Sequence, residues 1–245
     1  MTSKQGLSAH VALVTGASRG IGAAIALALA ELGAAVAINY RERADGAQAV
    51  VTRIKAGGGR AMTVAADVSQ AAAVTAMVEQ ITSSFGPVDI LVNNAGIAIP
   101  RGVDDLSESD FDRTILVNLK SAFLCTQAVL PSMRARKWGR IVNVSSGAAR
   151  GAGAIGPHYN ASKAGMEGLT RGYAARLVKE GITVNAVAPS LIETDMMRGR
   201  TDLARNIPLG RMGAPDEVAQ AVAMVLGNSY MTGQTIVLNG GLAFI

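Results

Sequence analysis

The sequence predicts an α/β chain organised as a doubly wound parallel sheet of about seven strands with helices on both faces. Three observations predict it: short apolar or β-branched runs alternate with longer stretches of helical period, each run ends at a small or turn-forming residue, and the runs are continuously apolar, as strands covered on both faces are. The expected strands are Val11–Thr15, Ala35–Asn39, Ala61–Ala65, Ile90–Asn93, Ile141–Ser145, Thr183–Ala188 and Thr235–Leu238. Helical stretches fall between them at 20–32, 43–56, 70–84, 109–136, 158–179 and 215–226. No linker, repeat or low-complexity segment interrupts the alternation, so residues 1–245 are expected to form one domain. In such a sheet, ligands lie beyond the carboxyl ends of the strands, and the residues just after each strand carry the functional information.

Composition excludes several classes. The longest apolar run, Ala23–Ala30, is alanine-rich and far short of the ~20 residues of a membrane helix. The first ten residues hold no apolar signal segment, so a cytoplasmic chain without a membrane partner is expected. One cysteine, Cys125, and two distant histidines, His10 and His158, cannot make a disulfide or a Cys/His zinc site, and no metal is expected. The net charge of +5 comes from scattered basic residues with one short cluster (Arg134, Arg136, Lys137, Arg140), and aromatic content is 4%. Nucleic acid is therefore not an expected partner.

Directly after the first strand, Thr15–Gly22 reads TGASRGIG and runs into an alanine-rich helix. Gly16, Gly20 and Gly22 permit a tight turn, let backbone N–H groups approach a pyrophosphate and aim the positive end of a helix at it. Ser18, Arg19 and Ile21 fill the same loop. At the end of the second strand, an acid would bind a ribose 2′-hydroxyl and repel a 2′-phosphate. Asn39, Tyr40 and Arg41 stand there instead, and Arg41 with Arg19 is suited to clamp a phosphate. The expected cofactor is NADP (NADPH).

Tyr159 and Lys163 lie four apart, hence on one face of a helix. A cation there favours the tyrosinate and lowers the tyrosine pKa from ~10 toward the working range of a general acid/base. The pair alone is weak, since Tyr-x-x-x-Lys arises often by chance. Its significance grows with Ser146, which falls just past a strand end in IVNVSSGAA.

With these residues in view, the chain resembles the short-chain dehydrogenase/reductase family over essentially its whole length, and within it the 3-oxoacyl-[acyl-carrier-protein] reductases. The matching segments occur in order: TGASRGIG, Asp67-Val68, Asn93-Asn94-Ala95-Gly96, Asn118 in VNLKSAF, Ser146, Tyr159/Lys163 and Pro189 to Thr194. The resemblance implies a Rossmann-like fold and a catalytic set of Asn118, Ser146, Tyr159 and Lys163. In it, Tyr159 protonates the carbonyl oxygen during reduction and Ser146 hydrogen-bonds that oxygen. Lys163 holds the nicotinamide ribose and depresses the tyrosine pKa, and Asn118 holds a relay water. Ser145 competes with Ser146, and the family's spacing of 13 to the tyrosine selects Ser146. The resemblance further places Asp67 and Val68 near adenine, Asn94, Ala95 and Gly96 along the ribose and phosphates, and Ile192 and Thr194 on the carboxamide, following Pro189. One departure stands out: the family's Pro-Gly after the sixth strand is Pro189-Ser190 here.

Other residues invite plainer readings. Cys125 suits a small core residue, His158 points away from the Tyr159 face, and Met196 and Met197 suit either a substrate lid at about 190–212 or ordinary packing. The resemblance implies a carbonyl reductase acting on 3-oxoacyl thioesters or related small ketones; an alcohol or polyol dehydrogenase on the same scaffold and a non-catalytic dinucleotide sensor are the rivals. Two carrier-docking positions, near the active-site entrance in those reductases, fall on Lys137 and Glu180. A carboxylate there opposes an acidic acyl carrier protein, so that partner is expected to give only modest advantage. The family is usually a homotetramer, and Ala161, Ala164, Gly165 and Gly168 would permit close helix packing across an interface.

Overall fold

The computed structural model describes residues 6–195 and 201–244. Seven parallel strands, β1 (Val11–Val14), β2 (Ala35–Tyr40), β3 (Arg60–Ala65), β4 (Ile90–Asn93), β5 (Gly139–Val144), β6 (Ile182–Pro189) and β7 (Thr235–Leu238), form one sheet in the order β3-β2-β1-β4-β5-β6-β7. The expected fold class is the observed one, with β4 and β7 as expected and the other strands differing by at most two residues at either end. Leu13 stands beside Ala37 of β2 and Leu91 of β4, so β1 lies at the point where the chain turns from building one half of the sheet to the other. That switch opens a crevice beyond the carboxyl ends of β1 and β4.

Alternation along the strands divides the core into two layers. Ala12, Val14, Val36, Ile38 and Val92 face one side and pack against α1 (Gly20–Glu31), α2 (Ala44–Ala56) and α7 (Pro215–Gly227). Val11, Leu13, Leu91, Ile141 and Val184 face the other and pack against α3 (Ala71–Phe85), α5 (Ser121–Arg136) and α6 (Pro157–Leu177). Cys125 lies in this second layer, fully buried, and burial pushes its thiol up to about 12, so it is an inert core residue. The helical stretch Glu108–Arg136 is long and apolar enough to cross a bilayer by composition, but Cys125, Val129 and Met133 pack it into the sheet.

The helix expected at 109–136 is not continuous. It consists of α4 (Glu108–Ile115), a π-helical turn at Leu116–Lys120 and α5. Apolar periodicity cannot register one extra residue per turn, and such insertions concentrate at functional positions. Asn118 sits inside this turn.

Candidate active site

The loop between β1 and α1 is formed by backbone demands that only glycine meets. Gly16 and Gly20 have φ of +62° and +55°, and a Cβ on Gly16 would lie 2.9 Å from Ala95 Cα. At Gly22 a Cβ would meet Asn94 Nδ2 at 2.5 Å and the Gly16 carbonyl at 2.6 Å. The loop is braced from both neighbouring strands. Thr15 Oγ1 accepts from the N–H groups of Asn94 and Ala95, each at 3.0 Å, and Asn94 Nδ2 donates to the Thr15 and Gly16 carbonyls. From β2, Asn39 Oδ1 accepts from Gly16 N at 3.2 Å while its amide donates to the Ala66 carbonyl at 3.1 Å. Asn39 is buried, so its side chain acts as a brace of the loop. Ser18 supports the start of α2, where a Cβ on Gly46 would meet its carbonyl at 2.7 Å, and Ile21 packs on the core. The first turn of α1 has neither a side-chain cap nor an acidic residue. Its N–H groups are therefore available to an anion, which is the feature a pyrophosphate requires.

Beside this loop three arginines gather. Arg19 and Arg43 both reach Asp195 Oδ2, at 3.4 and 4.0 Å, while Arg41 pairs with Glu42 and stands 4.0 Å from Asp67. All three guanidinium groups are substantially solvent-accessible. Burial opposes ionisation of Asp67, but hydrogen bonds from Ser69 and the nearby Arg41 outweigh it and hold the carboxyl below its ordinary range. Val68 is buried beside it and Tyr40 packs half-buried on the core.

Across the crevice, β5 delivers Ser146 and the first turns of α6 deliver Tyr159 and Lys163. Ser146 Oγ accepts from Ala148 N at 3.2 Å and lies near enough to the Tyr159 phenol to favour its ionised form. Lys163 is 5% exposed, donates from Nζ to the Val144 carbonyl at 2.8 Å and lies 5.8 Å from the Tyr159 ring centre. Burial pushes the Lys163 ammonium down to about 8. Burial also raises the Tyr159 phenol, and the Ser146 hydroxyl offsets this only in part. The expected downward shift of Tyr159 is thus absent in the free protein, because desolvation outweighs the Ser146 interaction. Gly96 allows the remaining group to approach: a Cβ there would lie 3.2 Å from Asn118 Oδ1 and 3.7 Å from Lys163 Nζ. Asn118 is fully buried and its amide is committed to Ile97 N, Ile97 O and Ser162 Oγ. Its side chain therefore fixes the segment after β4, with one acceptor position of Oδ1 not used by these bonds.

Pro189 ends β6, Ile192 bridges to Gly213, and Thr194 Cγ2 would be 3.5 Å from a Cβ on Gly20, so the segment after β6 lies on the glycine loop. Met196 and Met197 lie outside the described residues. His158 is fully buried with Nε2 2.9 Å from the Ile99 carbonyl. Ser190 in place of glycine has a structural counterpart: its hydroxyl fills the space a Cβ on Gly147 would need, just after Ser146. Gly147→Ala should therefore cost about 1–3 kcal/mol as overpacking, and substantially less in a Ser190→Gly background. Denaturant unfolding of the four combinations measures this, and strict additivity would contradict the pairing.

Thr15, Arg43 and Ser162 enter the site without having been singled out as candidates, and Ser145, set aside in favour of Ser146, lies beside it. Arg43 carried one signal, its place two residues after Arg41 in RER; Thr15 and Ser162 serve through contacts between distant segments. Lys137 and Glu180 precede β5 and β6, whereas Ser146 follows β5, whose six residues span ~20 Å. They stand at the opposite end of the sheet from Tyr159, and Glu180 pairs with Arg134 at 2.8 Å. Among the described residues no cluster of His, Cys, Asp or Glu could hold a metal ion.

Comparison with known proteins agrees with this arrangement. The pattern of the short chain dehydrogenase family matches residues 10–204. The 3-oxoacyl-[acyl-carrier-protein] reductase FabG of Staphylococcus aureus is 44% identical, covering 94% of this chain and 97% of its own length. The (2S)-[(R)-hydroxy(phenyl)methyl]succinyl-CoA dehydrogenase subunit BbsD of Thauera aromatica is 43% identical, covering 96% and 97%. A crystal structure of a candidate gluconate dehydrogenase from Agrobacterium tumefaciens superposes with a TM-score of 0.91 at 33% identity, covering 96% of both chains. With the glycine loop, the switch-point crevice and the Ser-Tyr-Lys convergence in place, the chain belongs to the short-chain dehydrogenase family of oxidoreductases acting on CH–OH and C=O groups.

Proposed function

We propose that the protein is an NADP(H)-dependent carbonyl reductase acting on 3-oxoacyl thioesters or related small ketones. The observation that carries this reading is the meeting of Ser146, Tyr159 and Lys163 at the same end of the sheet as an uncapped, glycine-lined helix N-terminus. NADPH would supply hydride. The backbone from Gly16 to Gly22 and the segment Asn94–Gly96 would hold its phosphates and ribose, with Asp67 and Val68 toward the adenine and Ile192 and Thr194 toward the carboxamide. Tyr159 is the acid, its proton retained by burial, and Ser146 orients the carbonyl oxygen that receives it. A binding module has no use for a hydroxyl pair converging on one point, which argues against a non-catalytic sensor.

NADP is favoured over NAD by Arg19, Arg41 and Arg43 and by the lack of an acid at the end of β2. Arg19 and Arg43 already converge on one carboxylate oxygen, so both guanidinium groups can address a single anionic group. One charged hydrogen bond contributes ~1.5–3 kcal/mol, so at least about tenfold selectivity in kcat/KM for NADPH over NADH is expected. Arg41→Asp should shift that ratio toward NADH; equal kinetics with both cofactors in the parent would refute the assignment.

The similarity to one relative named for a carrier-bound substrate and to another named for a CoA thioester, at nearly equal identity, supports the thioester class. Lys137 lies at the end of the sheet opposite Tyr159 within a protomer, and Glu180 with Arg134 adds little net attraction for an acidic carrier. A modest carrier advantage follows. It is tested by comparing kcat/KM for acetoacetyl-carrier and acetoacetyl-CoA at low salt, and an advantage above about a hundredfold that collapses with salt would overturn it. Assembly as a homotetramer remains the proposed state. Ala161, Ala164 and Gly168 form an exposed small-residue face of α6, while Gly165 is spent inside the protomer, where a Cβ would meet Leu119 at 2.8 Å.

A further inference from the structure

The loop that carries Ser146 is tied at both ends to one buried carboxylate. Glu167 lies on α6 four residues after Lys163 and eight after Tyr159, on the same face, and is 4% exposed. Its Oε1 is 3.4 Å from Ser145 Oγ, whose single proton it shares with the Lys163 carbonyl at 3.2 Å. Its Oε2 accepts from Arg150 Nε at 2.9 Å. Ser145 immediately precedes Ser146, and Arg150 closes the 3₁₀ turn Gly147–Ala149 that follows it, through Arg150 N to the Gly147 carbonyl. A carboxylate inside a protein is strongly disfavoured unless paired, so Glu167 and Arg150 are bound to each other by the cost of separating them. The loop between Ser145 and Arg150 thereby inherits the position of α6. That is also the helix bearing Tyr159 and Lys163, so one rigid element sets the spacing between the serine hydroxyl and the tyrosine phenol.

We propose that Glu167 and Arg150 are positioning residues that hold Ser146 in register with Tyr159. The proposal rests on the reading of Ser146 and Tyr159 given above. A displacement of about 1 Å in a reacting group costs on the order of 100-fold, and release of one end of a short loop gives a smaller part of that. Arg150→Met and Glu167→Gln are therefore expected to lower kcat about 10-fold or more while leaving KM for NADPH within about twofold of the parent, because the glycine loop lies across the crevice. Arg150→Lys keeps the ion pair and should recover kcat to within about threefold of the parent, a rescue that loss of fold alone would not give. The double variant Glu167→Leu/Arg150→Met removes the clamp without leaving a buried charge, so it remains folded where a single variant is destabilised. It should show the same low kcat with a parent-like melting midpoint. Parent-like kcat in the double variant would overturn the proposal. Ser146→Ala and Tyr159→Phe measured alongside separate the two ideas. If both of these retain turnover, the catalytic reading fails; if both lose it while the clamp variants do not, only the positioning role fails.

Discussion

Tyr159→Phe is expected to lower turnover by at least ~100-fold while leaving NADPH binding nearly intact, the usual contribution of a positioned general acid. The substitution removes one oxygen from a half-buried ring on the first turns of α6 and leaves the backbone, Lys163 and the glycine loop unaltered. Burial holds the phenol above its ordinary range in the free protein, so the proton is retained at neutral pH, as reduction of a carbonyl requires. Single-turnover kinetics with a 3-oxoacyl thioester and titration of the cofactor by fluorescence measure the two effects separately. A variant retaining more than a tenth of the parent rate would show that another group supplies the proton.

The second large effect is expected at Lys163. Lys163→Met should cost at least ~100-fold in turnover, since it removes the cation nearest the phenol and the donor to the Val144 carbonyl. It should also change how stability depends on pH. The ammonium titrates at about 8 in the folded chain, below its ordinary 10.5. Below pH 8 both states hold the proton and the buried charge weighs against folding in full. Between about 8 and 10.5 the unfolded chain binds more protons than the folded one, so this contribution to stability rises with pH across that window, by a few kcal/mol (~3) in total. Lys163→Met should abolish that rise. Denaturant midpoints for both proteins from pH 7 to 10.5 provide the comparison, and parallel curves would contradict the burial argument.

Much of this was legible in the sequence because parallel sheets impose simple patterns. Strands such as Val11–Val14 and Ile90–Asn93 are apolar on both faces, and the phosphate loop must use glycine where φ is positive. What escaped was set by contacts between distant segments. The π turn at Leu116–Lys120 leaves no trace in apolar spacing, although it decides where Asn118 points. Asn39 sits where a ribose ligand belongs, yet its amide is consumed bracing Gly16 and Ala66. Glu167 is one of several helical carboxylates in the sequence, and only burial against Arg150 and Ser145 distinguishes it. Local spacing likewise suggested a depressed tyrosine pKa from Lys163, whereas desolvation, a property of the packed molecule, prevails in the free protein.

The central claim is that the Ser146-Tyr159-Lys163 convergence reduces a carbonyl with NADPH. It is tested most directly by incubating the protein with NADPH and acetoacetyl-CoA and following cofactor oxidation together with product identity. The account predicts one NADPH oxidised per 3-hydroxyacyl thioester formed, with the rate lost in Tyr159→Phe. NADPH binding without oxidation, across this thioester and a panel of small ketones, would contradict it and identify the fold as a dinucleotide sensor.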